Sequence, residues 1–204
     1  MIQFVANEVQ LERSAETGGL RVVRWKAITE PAEIPPLGEA LRAHIEAYKN
    51  PSARAASVCA WALLYETLLG AGLSSGTVAF SPNGKPYFTD LPVFFSISHG
   101  GSLAAVSLAD TPTGVDVERT DRKVRPQMAA RCLSPEETAA FGDDFIRAWC
   151  RKECAVKLTG EGLSGYPLAV NALDPRFVFR EEILRAADGV YRVTAAFLRE
   201  SAAG

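Results

Sequence analysis

The chain twice shows a helical segment followed by strand segments, and this order constrains its fold more than any other feature. Residues 39–69 have a helical pattern that breaks near Asn50 and Pro51, and the second piece carries an apolar stripe at three-to-four spacing. Strand candidates in this half lie at 20–25, 78–80, 93–97 and 103–108. The first half is therefore predicted to be one main helix with a group of strands.

The second half repeats the order without repeating the sequence. Ser134 and Glu137 form a capping box around Pro135, which is a strong helix start. A second helix is predicted to begin at Asp144 and to end at Gly160. Strands are expected at 115–119, near 177–180 and at 191–197. The chain is thus predicted to form two α/β halves.

Composition is that of a folded globular protein. Of 204 residues, 48% are hydrophobic and 23% are charged, which is enough apolar material for one substantial core or two small ones. The net charge of -2 gives no global reason to expect nucleic-acid binding. The four cysteines and two histidines lack the spacing of a zinc site, so we expect reduced thiols. No leader pattern or long apolar run is visible, so we expect a cytoplasmic protein that does not enter a membrane.

One predicted strand carries two acidic side chains on the same face. In the segment 114–118, Asp116 and Glu118 are two residues apart, so their carboxylates should project side by side while Val115 and Val117 are buried. Such a segment alone is more often a solvated strand face.

The predicted helix after Asp144 adds a carboxylate and an ammonium group. Glu153 and Lys157 are separated by one helical turn and share a face. Three carboxylates suit Mg²⁺, which prefers oxygen ligands, and a lysine would neutralise a bound diphosphate. By itself this pair is more often a surface helix pair.

Three other residues have both an ordinary and a functional interpretation. Lys85 follows Asn-Gly and precedes proline, which is typical of an exposed turn, and His99 before two glycines is typical of a turn histidine. Those glycines would also let a bulky anion approach the backbone. Trp149 is more often a core residue than a binding platform.

Five motifs occur together in one order along the chain. They are Asn83-Gly84-Lys85-Pro86, Phe95-Ser96-Ile97-Ser98-His99, Gly114-Val115-Asp116-Val117-Glu118, the helical run from Trp149 through Lys152-Glu153 to Lys157, and Gly160-Glu161-Gly162-Leu163. This ordered set resembles the 4'-phosphopantetheinyl transferase family, in its larger single-chain pseudodimeric class. The likeness covers about residues 80–165.

The resemblance implies an α+β fold, an α/β sandwich of two similar subdomains. Each would be a small, mostly antiparallel sheet packed on a long helix, and a pseudo-twofold axis would relate the two. Residues 1–110 would form the coenzyme A-binding subdomain and residues 111–204 the subdomain with the metal site and catalytic helix. The active site would lie in the cleft between them.

The resemblance also implies a reaction and its residues. Phosphopantetheine would pass from coenzyme A to a carrier-protein serine, and adenosine 3',5'-bisphosphate would leave. Asp116, Glu118 and Glu153 would bind Mg²⁺, with Mn²⁺ as a substitute. The catalytic set would be Glu153, Lys157 and Asp116, and whether Glu153 is metal ligand, general base or both stays open. The coenzyme A-binding set would be Arg42, Arg54, Lys85, Ser98, His99 and Lys157.

The implied partner is an apo acyl or peptidyl carrier protein, and a monomer would be sufficient because one chain would hold the whole site. Carrier proteins are typically acidic, and a basic run follows the acidic strand. This run consists of Arg119, Arg122, Lys123 and Arg125, which form either a docking surface or a solvated loop. Two other functions stay open: a Mg²⁺-dependent coenzyme A or nucleotide binder without transfer, and a purely structural protein.

Overall fold

The structure is a computed structural model that describes residues 10–13, 19–28, 34–160 and 169–199. The strands in these ranges are β1 (Gln10–Arg13), β2 (Leu20–Ala27), β3 (Val78–Phe80), β4 (Pro86–Phe88), β5 (Phe94–Gly100), β6 (Leu103–Ala109), β7 (Thr113–Arg119), β8 (Phe177–Ala186) and β9 (Gly189–Leu198). The helices are α1 (Glu39–Glu46), α2 (Pro51–Gly70), α3 (Pro126–Cys132), α4 (Pro135–Phe141) and α5 (Phe145–Thr159).

The first sheet has the strand order β1-β2-β6-β5, and every pairing in it is antiparallel. Helix α2 packs on one face of this sheet, where Trp61 and Leu64 join Val22 and Val106 in one buried cluster. The helix begins where the sequence predicts, because the Asn50 side chain accepts hydrogen bonds from the first free backbone N–H groups and Pro51 follows it.

The second sheet has the order β7-β9-β8 and is also antiparallel. Helix α5 packs on it through Cys154, Ala155 and Leu158, which contact Phe177 and Ala196. The predicted capping box of α4 is present, with Glu137 and Ser134 bonding each other's backbone N–H groups.

The two sheets share a core. Val23 and Trp25 of β2 belong to the same buried cluster as Val115 of β7 and Val193 of β9. Because side chains alternate along a strand, the other face of the first sheet meets α2 and the other face of the second meets α5. The layers therefore run helix, sheet, sheet, helix, which confirms the α+β class with small antiparallel sheets. The pseudo-twofold relation and the division at residue 110 stay predictions.

Several local predictions differ from the structure. The predicted turn at His99 lies one residue later, because β5 continues to Gly100, and β8 is longer than expected because it pairs with β9 over its whole length. The sequence did not predict β1, β4 or α3. Residues 161–163 of the fifth motif and residues 1–9 lie outside the described ranges.

In the described ranges, no disulfide joins the four buried cysteines. None of the helices there is both long enough and apolar enough to cross a membrane.

Candidate functional site

Strand β7 and helix α5 approach each other closely, and Gly114 permits this. A Cβ atom on Gly114 would overlap the carbonyl oxygen of Cys154 and lie 2.9 Å from the backbone nitrogen of Leu158. Only glycine fits this contact without a shift of the backbone. The acidic face of β7 is thereby held directly against the helix that carries Glu153 and Lys157.

The centre of the site is an ion pair between Lys157 and Asp116. Lys157 Nζ donates to Asp116 Oδ1 over 2.8 Å and to the carbonyl oxygen of Val115 over 3.0 Å. The side chain of Asp116 is 8% exposed and that of Lys157 is 30% exposed. Burial alone would lower the pKa of Lys157, but the charge and hydrogen bond of Asp116 outweigh it and raise the pKa. The ammonium group is therefore charged in the cleft.

Ser98 joins this pair from the first half of the chain. Its hydroxyl accepts from Lys157 Nζ over 3.1 Å and donates to Asp116 Oδ1 over 3.0 Å. Three predicted site residues from β5, β7 and α5 thus form one hydrogen-bonded group, and the group lies where the two halves meet.

Glu118 lies next along β7 and is held by two donors. Arg122 pairs with its carboxylate over 2.6 Å, and the indole of Trp149 also donates to it. Burial, and then the negative charge of Asp116, raise the pKa of Glu118, while Arg122 and Trp149 counteract part of this effect.

Glu153 has the most perturbed carboxylate of the site. Desolvation, followed by the charge of Asp116, raises its pKa to about 7, and Lys157 offsets only part of the increase. A carboxylate with this pKa gains and loses its proton near neutral pH, which is the range in which a general base is most effective.

The site offers the carboxylates of Asp116, Glu118 and Glu153 to a divalent cation. In the described ranges, no three His, Cys, Asp or Glu side chains lie close enough to form a preassembled metal site. Asp116 Oδ2, however, is buried and accepts no N–H or O–H hydrogen bond from any described residue. The charge of Asp116 also raises the pKa of Glu118 and of Glu153. A hard cation would satisfy the unpaired oxygen and relieve this repulsion, so the three carboxylates fit Mg²⁺.

Lys85 reaches the end of α5 from the first half. Its Nζ donates to the carbonyl oxygen of Leu158 over 2.8 Å, and Asn83 Nδ2 donates to the carbonyl oxygen of Gly160 over 3.3 Å. Partial burial lowers the pKa of Lys85. A cavity of about 230 Å³ opens here, and Lys85 and Lys157 both line it. The cavity therefore carries two ammonium groups, which suits an anionic ligand.

The remaining predicted residues lie farther from this group. His99 is exposed at the end of β5, and desolvation, with the charge of Lys157 second, lowers the pKa of its imidazole. Arg42 on α1 is exposed and lies 4.0 Å from Glu46, and Arg54 is exposed in the first turn of α2. Among the described residues, no hydrogen bond or ion pair joins either arginine to Lys157, Asp116 or Ser98.

Residues 112–201 match the model of the 4'-phosphopantetheinyl transferase superfamily. This segment, which is less than half of the chain, is similar to that superfamily. The chain is 32% identical over 91 residues to the 4'-phosphopantetheinyl transferase psf-1 of Bacillus pumilus, which covers 40% of this chain and 39% of that protein. It is 32% identical over 103 residues to the 4'-phosphopantetheinyl transferase Sfp of Bacillus subtilis, covering 45% and 46%. A putative 4'-phosphopantetheinyl transferase of Haemophilus influenzae is 29% identical over 115 residues, covering 50% and 49%. The chain spans about half or less of each relative's length.

The superfamily match includes only part of the predicted site. Asp116, Glu118, Glu153 and Lys157 lie inside the matched residues. The predicted coenzyme A residues Arg42, Arg54, Lys85, Ser98 and His99 precede them. Ser98 and Lys85 nevertheless contact the matched part directly, through Asp116 and the end of α5.

The sequence did not predict two contacts of this candidate site. Trp149 packs against a core cluster, as expected, but its indole also bonds Glu118; the only signal was that the N–H group of a buried tryptophan usually finds a partner. Cys150 was expected to be an ordinary packing residue, yet burial and then the charge of Asp116 raise the pKa of its thiol. Helical spacing places Cys150 near Glu153 and Lys157 but does not reveal what faces it.

Proposed function

We propose that this protein transfers the 4'-phosphopantetheine group from coenzyme A to a serine of an apo acyl or peptidyl carrier protein, with Mg²⁺, and releases adenosine 3',5'-bisphosphate. The observation that supports it most is the group formed by Asp116, Lys157 and Ser98, beside a Glu153 carboxylate whose pKa is raised to about 7. It combines anion-binding, cation-binding and proton-accepting groups in one cleft, which is what phosphoryl transfer needs.

In this proposal the cation is held by three carboxylates, those of Asp116 (through Oδ2), Glu118 and Glu153. When bound, Mg²⁺ would polarise the diphosphate and offset its negative charge. The ion pair with Lys157 leaves one Asp116 oxygen available for this role. Trp149 and Arg122 fix the orientation of Glu118 by hydrogen bonds to its carboxylate.

Lys157 and Lys85 are proposed to hold the coenzyme A diphosphate. Both line the cavity of about 230 Å³ at the junction of the halves. Lys85 would exchange the Leu158 carbonyl for a phosphate oxygen, since a charged acceptor makes the stronger hydrogen bond. His99 would contact a phosphate at the exposed edge, and Arg42 and Arg54 would contact the adenosine end.

Glu153 is proposed to take the serine proton, either directly or through a water molecule. The serine oxygen then forms a bond to the β-phosphorus of coenzyme A as the bond from that phosphorus to the bridging oxygen breaks. Adenosine 3',5'-bisphosphate leaves with the electron pair, and Glu153 keeps the proton. A base with a pKa near 7 accepts a proton at neutral pH and can release it again.

We further infer that the chain is of the pseudodimeric class, with subdomains at 1–110 and 111–204, and that it acts as a monomer. Each half supplies one sheet of three or four strands and one long helix, the first half also has the two-stranded β3–β4 sheet, and residues from both halves meet at the site. A site built from one chain needs no second copy.

The test is intact-mass spectrometry of a panel of apo carrier proteins incubated with the protein, coenzyme A and Mg²⁺. A mass gain of one phosphopantetheine that EDTA prevents is expected. Glu153→Gln should abolish the gain while coenzyme A binding persists. Glu182→Gln, at an exposed position on β8, is the matched control and should keep it. Coenzyme A binding by the native protein without a mass gain on any carrier would identify a binding module instead.

A further inference from the structure

The β8–β9 turn of the second half contacts the β5–β6 turn of the first half. We propose that Tyr191 and Asp188 at this turn are positioning residues for the donor site: they hold the β5–β6 turn, and with it His99, against the strand that carries Asp116 and Glu118. The inference rests on the proposed function, because it assigns His99 to the coenzyme A site.

Tyr191 is the centre of the contact. Its side chain is fully buried, and its hydroxyl accepts a hydrogen bond from the backbone N–H of Ser102 over 3.1 Å. The same hydroxyl donates to Asp188 Oδ2 over 2.6 Å, and the Ser102 hydroxyl donates to Asp188 Oδ1. Two residues of the second half therefore bind both the backbone and the side chain of the β5–β6 turn.

The turn itself is shaped to receive the phenol. Gly101 has a φ of 52°, in the left-handed region, and a Cβ atom there would overlap the Tyr191 hydroxyl. At Gly100 a Cβ atom would lie 2.7 Å from the Val117 carbonyl oxygen. The end of β5 thus rests on the backbone of β7, between Asp116 and Glu118.

The end of β7 is attached to the same turn. Arg119 Nη1 lies 3.8 Å from Asp188 Oδ2, and the Thr120 backbone N–H donates to the Val190 carbonyl over 2.9 Å. Hydrogen bonds from Ser102, and then from Tyr191, lower the pKa of Asp188, so it is an ionised acceptor at neutral pH. The carboxylate of Asp188 therefore contacts both the end of β7 and the turn that follows β5.

The position of His99 follows from these contacts. His99 is only three residues before Ser102, and the intervening residues are a strand end and a tight turn. A movement of Ser102 would move His99 relative to Asp116 and Glu118, and small displacements of binding groups reduce the binding of ligand and transition state. A tyrosine that only filled the core would act through its ring and would not need its hydroxyl.

The experiment is a double-mutant cycle on coenzyme A binding, measured by titration calorimetry without carrier protein. Tyr191→Phe keeps the ring and removes the hydroxyl, and it should weaken coenzyme A binding about 3- to 10-fold, the loss expected for one hydrogen bond. In a His99→Ala background the same change should cause no further loss, because the effect passes through His99. Tyr65→Phe, on α2, is the matched control and should bind as the native protein does. Equal losses in both backgrounds would overturn the proposal.

A second readout needs no coenzyme A. The chain has two histidines, so ¹⁵N NMR of the imidazoles gives one pair of nitrogen signals each for His44 and His99. Tyr191→Phe should shift the His99 signals and leave those of His44 unchanged; unchanged His99 signals would overturn the positioning role. If the native protein binds no coenzyme A, the proposed function fails, and this spectrum still decides whether Tyr191 holds His99. Asp188→Asn, at a partly exposed site, gives the same test should Tyr191→Phe not fold.

Discussion

Lys157 on α5 donates to Asp116 on β7 across 2.8 Å, while the second oxygen of that carboxylate is buried and accepts no N–H or O–H hydrogen bond within the described residues. The two residues are 41 positions apart in the chain. Beside this pairing, the Cys150 thiol bonds Asp116, but Oδ2 accepts from no N–H or O–H group in the described part of the chain, and a buried acceptor short of donors costs free energy that a bound cation would recover. The arrangement is therefore more consistent with a binding site than with a structural ion pair.

Removing the ammonium group should destabilise the protein. Lys157→Met leaves a buried carboxylate without a counter-charge, and we expect the free energy of unfolding to fall by about 2–3 kcal/mol. This loss is smaller than that for a fully buried ion pair, because the side chain of Lys157 is partly exposed. Asp116→Asn combined with Lys157→Met should recover part of this loss. Urea unfolding measures both values.

The matched control for that pair is Lys26 with Glu66, which lie 2.9 Å apart with side chains 33% and 43% exposed. Lys26→Met should cost less than about 1 kcal/mol, as exposed pairs do. Strictly additive losses in the Asp116 and Lys157 double variant would show that the two residues do not interact.

The stability of the metal-free protein should depend on pH through Glu153. Its pKa rises from 4.5 to about 7 on folding, so folding favours the protonated form. The resulting destabilisation is absent below pH 4.5, grows as pH rises toward 7, and is complete above it. Glu153→Gln should therefore be more stable than the native protein at pH 8, by about 1–2 kcal/mol after allowance for solvent screening, and equally stable at pH 4.

Thermal unfolding in EDTA at several pH values tests this. With Mg²⁺ at pH 8 the native protein should gain more stability than Glu153→Gln, because a ligand that binds only the folded state stabilises it. A difference between the two proteins that is the same at every pH would show that Glu153 does not carry the raised pKa.

Local signals in the sequence predicted the elements of the site better than their arrangement. The start of α2 at Asn50 and the capping box at Ser134 depend on neighbouring residues, and the structure confirms both. The alternation in β7 placed Val115 and Val117 in the core and Asp116 on the opposite face, as observed. Each of these features is determined by residues that are close to one another in the sequence.

Long-range contacts could not be predicted in this way. Strand β2 pairs with β6, some 80 residues later, and nothing in either segment specifies its partner. The hydroxyl of Tyr191 meets Ser102 at a sequence separation of 89. Such contacts depend on which faces the assembled sheets present to each other. The spacing of apolar residues shows which face of a strand or helix is buried, but it does not show which other element packs against that face.

A second buried ion pair should control the stability of the α4 and α5 region. Lys152 and Glu137 are each 1% exposed, and Lys152 Nζ lies 2.8 Å from Glu137 Oε1. Glu137 also accepts from the backbone N–H groups of Ser134 and Ala172. Lys152→Met leaves this carboxylate charged and buried, so we expect a loss of about 3–5 kcal/mol.

The combined change Glu137→Gln and Lys152→Met should be more stable than Lys152→Met alone, because a neutral amide needs no counter-charge and its single oxygen can still accept from one of the two backbone N–H groups. Denaturant unfolding of the three variants gives the comparison. If the double variant is less stable than Lys152→Met, the hydrogen bonds of Glu137, and not its charge, determine the effect.

The basic run after β7 should act in carrier recognition through two of its four residues. Arg119 is engaged by Asp121, at 2.7 Å, and Arg122 by Glu118, at 2.6 Å. Lys123 and Arg125 are exposed and form no ion pair within the described ranges. Only side chains with unpaired charge can attract an acidic partner strongly, so Lys123→Glu with Arg125→Glu should raise the KM for the carrier about 10-fold at low salt. The KM for coenzyme A should not change.

Salt provides the internal check on this prediction. At 0.5 M NaCl exposed charges are largely screened, so the native protein and the variant should approach the same KM for the carrier. The matched control is Arg185→Glu with Arg199→Glu, which makes the same change in net charge at exposed positions near the ends of β8 and β9. If the control raises the KM for the carrier as much as the Lys123 and Arg125 variant does, net charge rather than a docking surface governs the encounter.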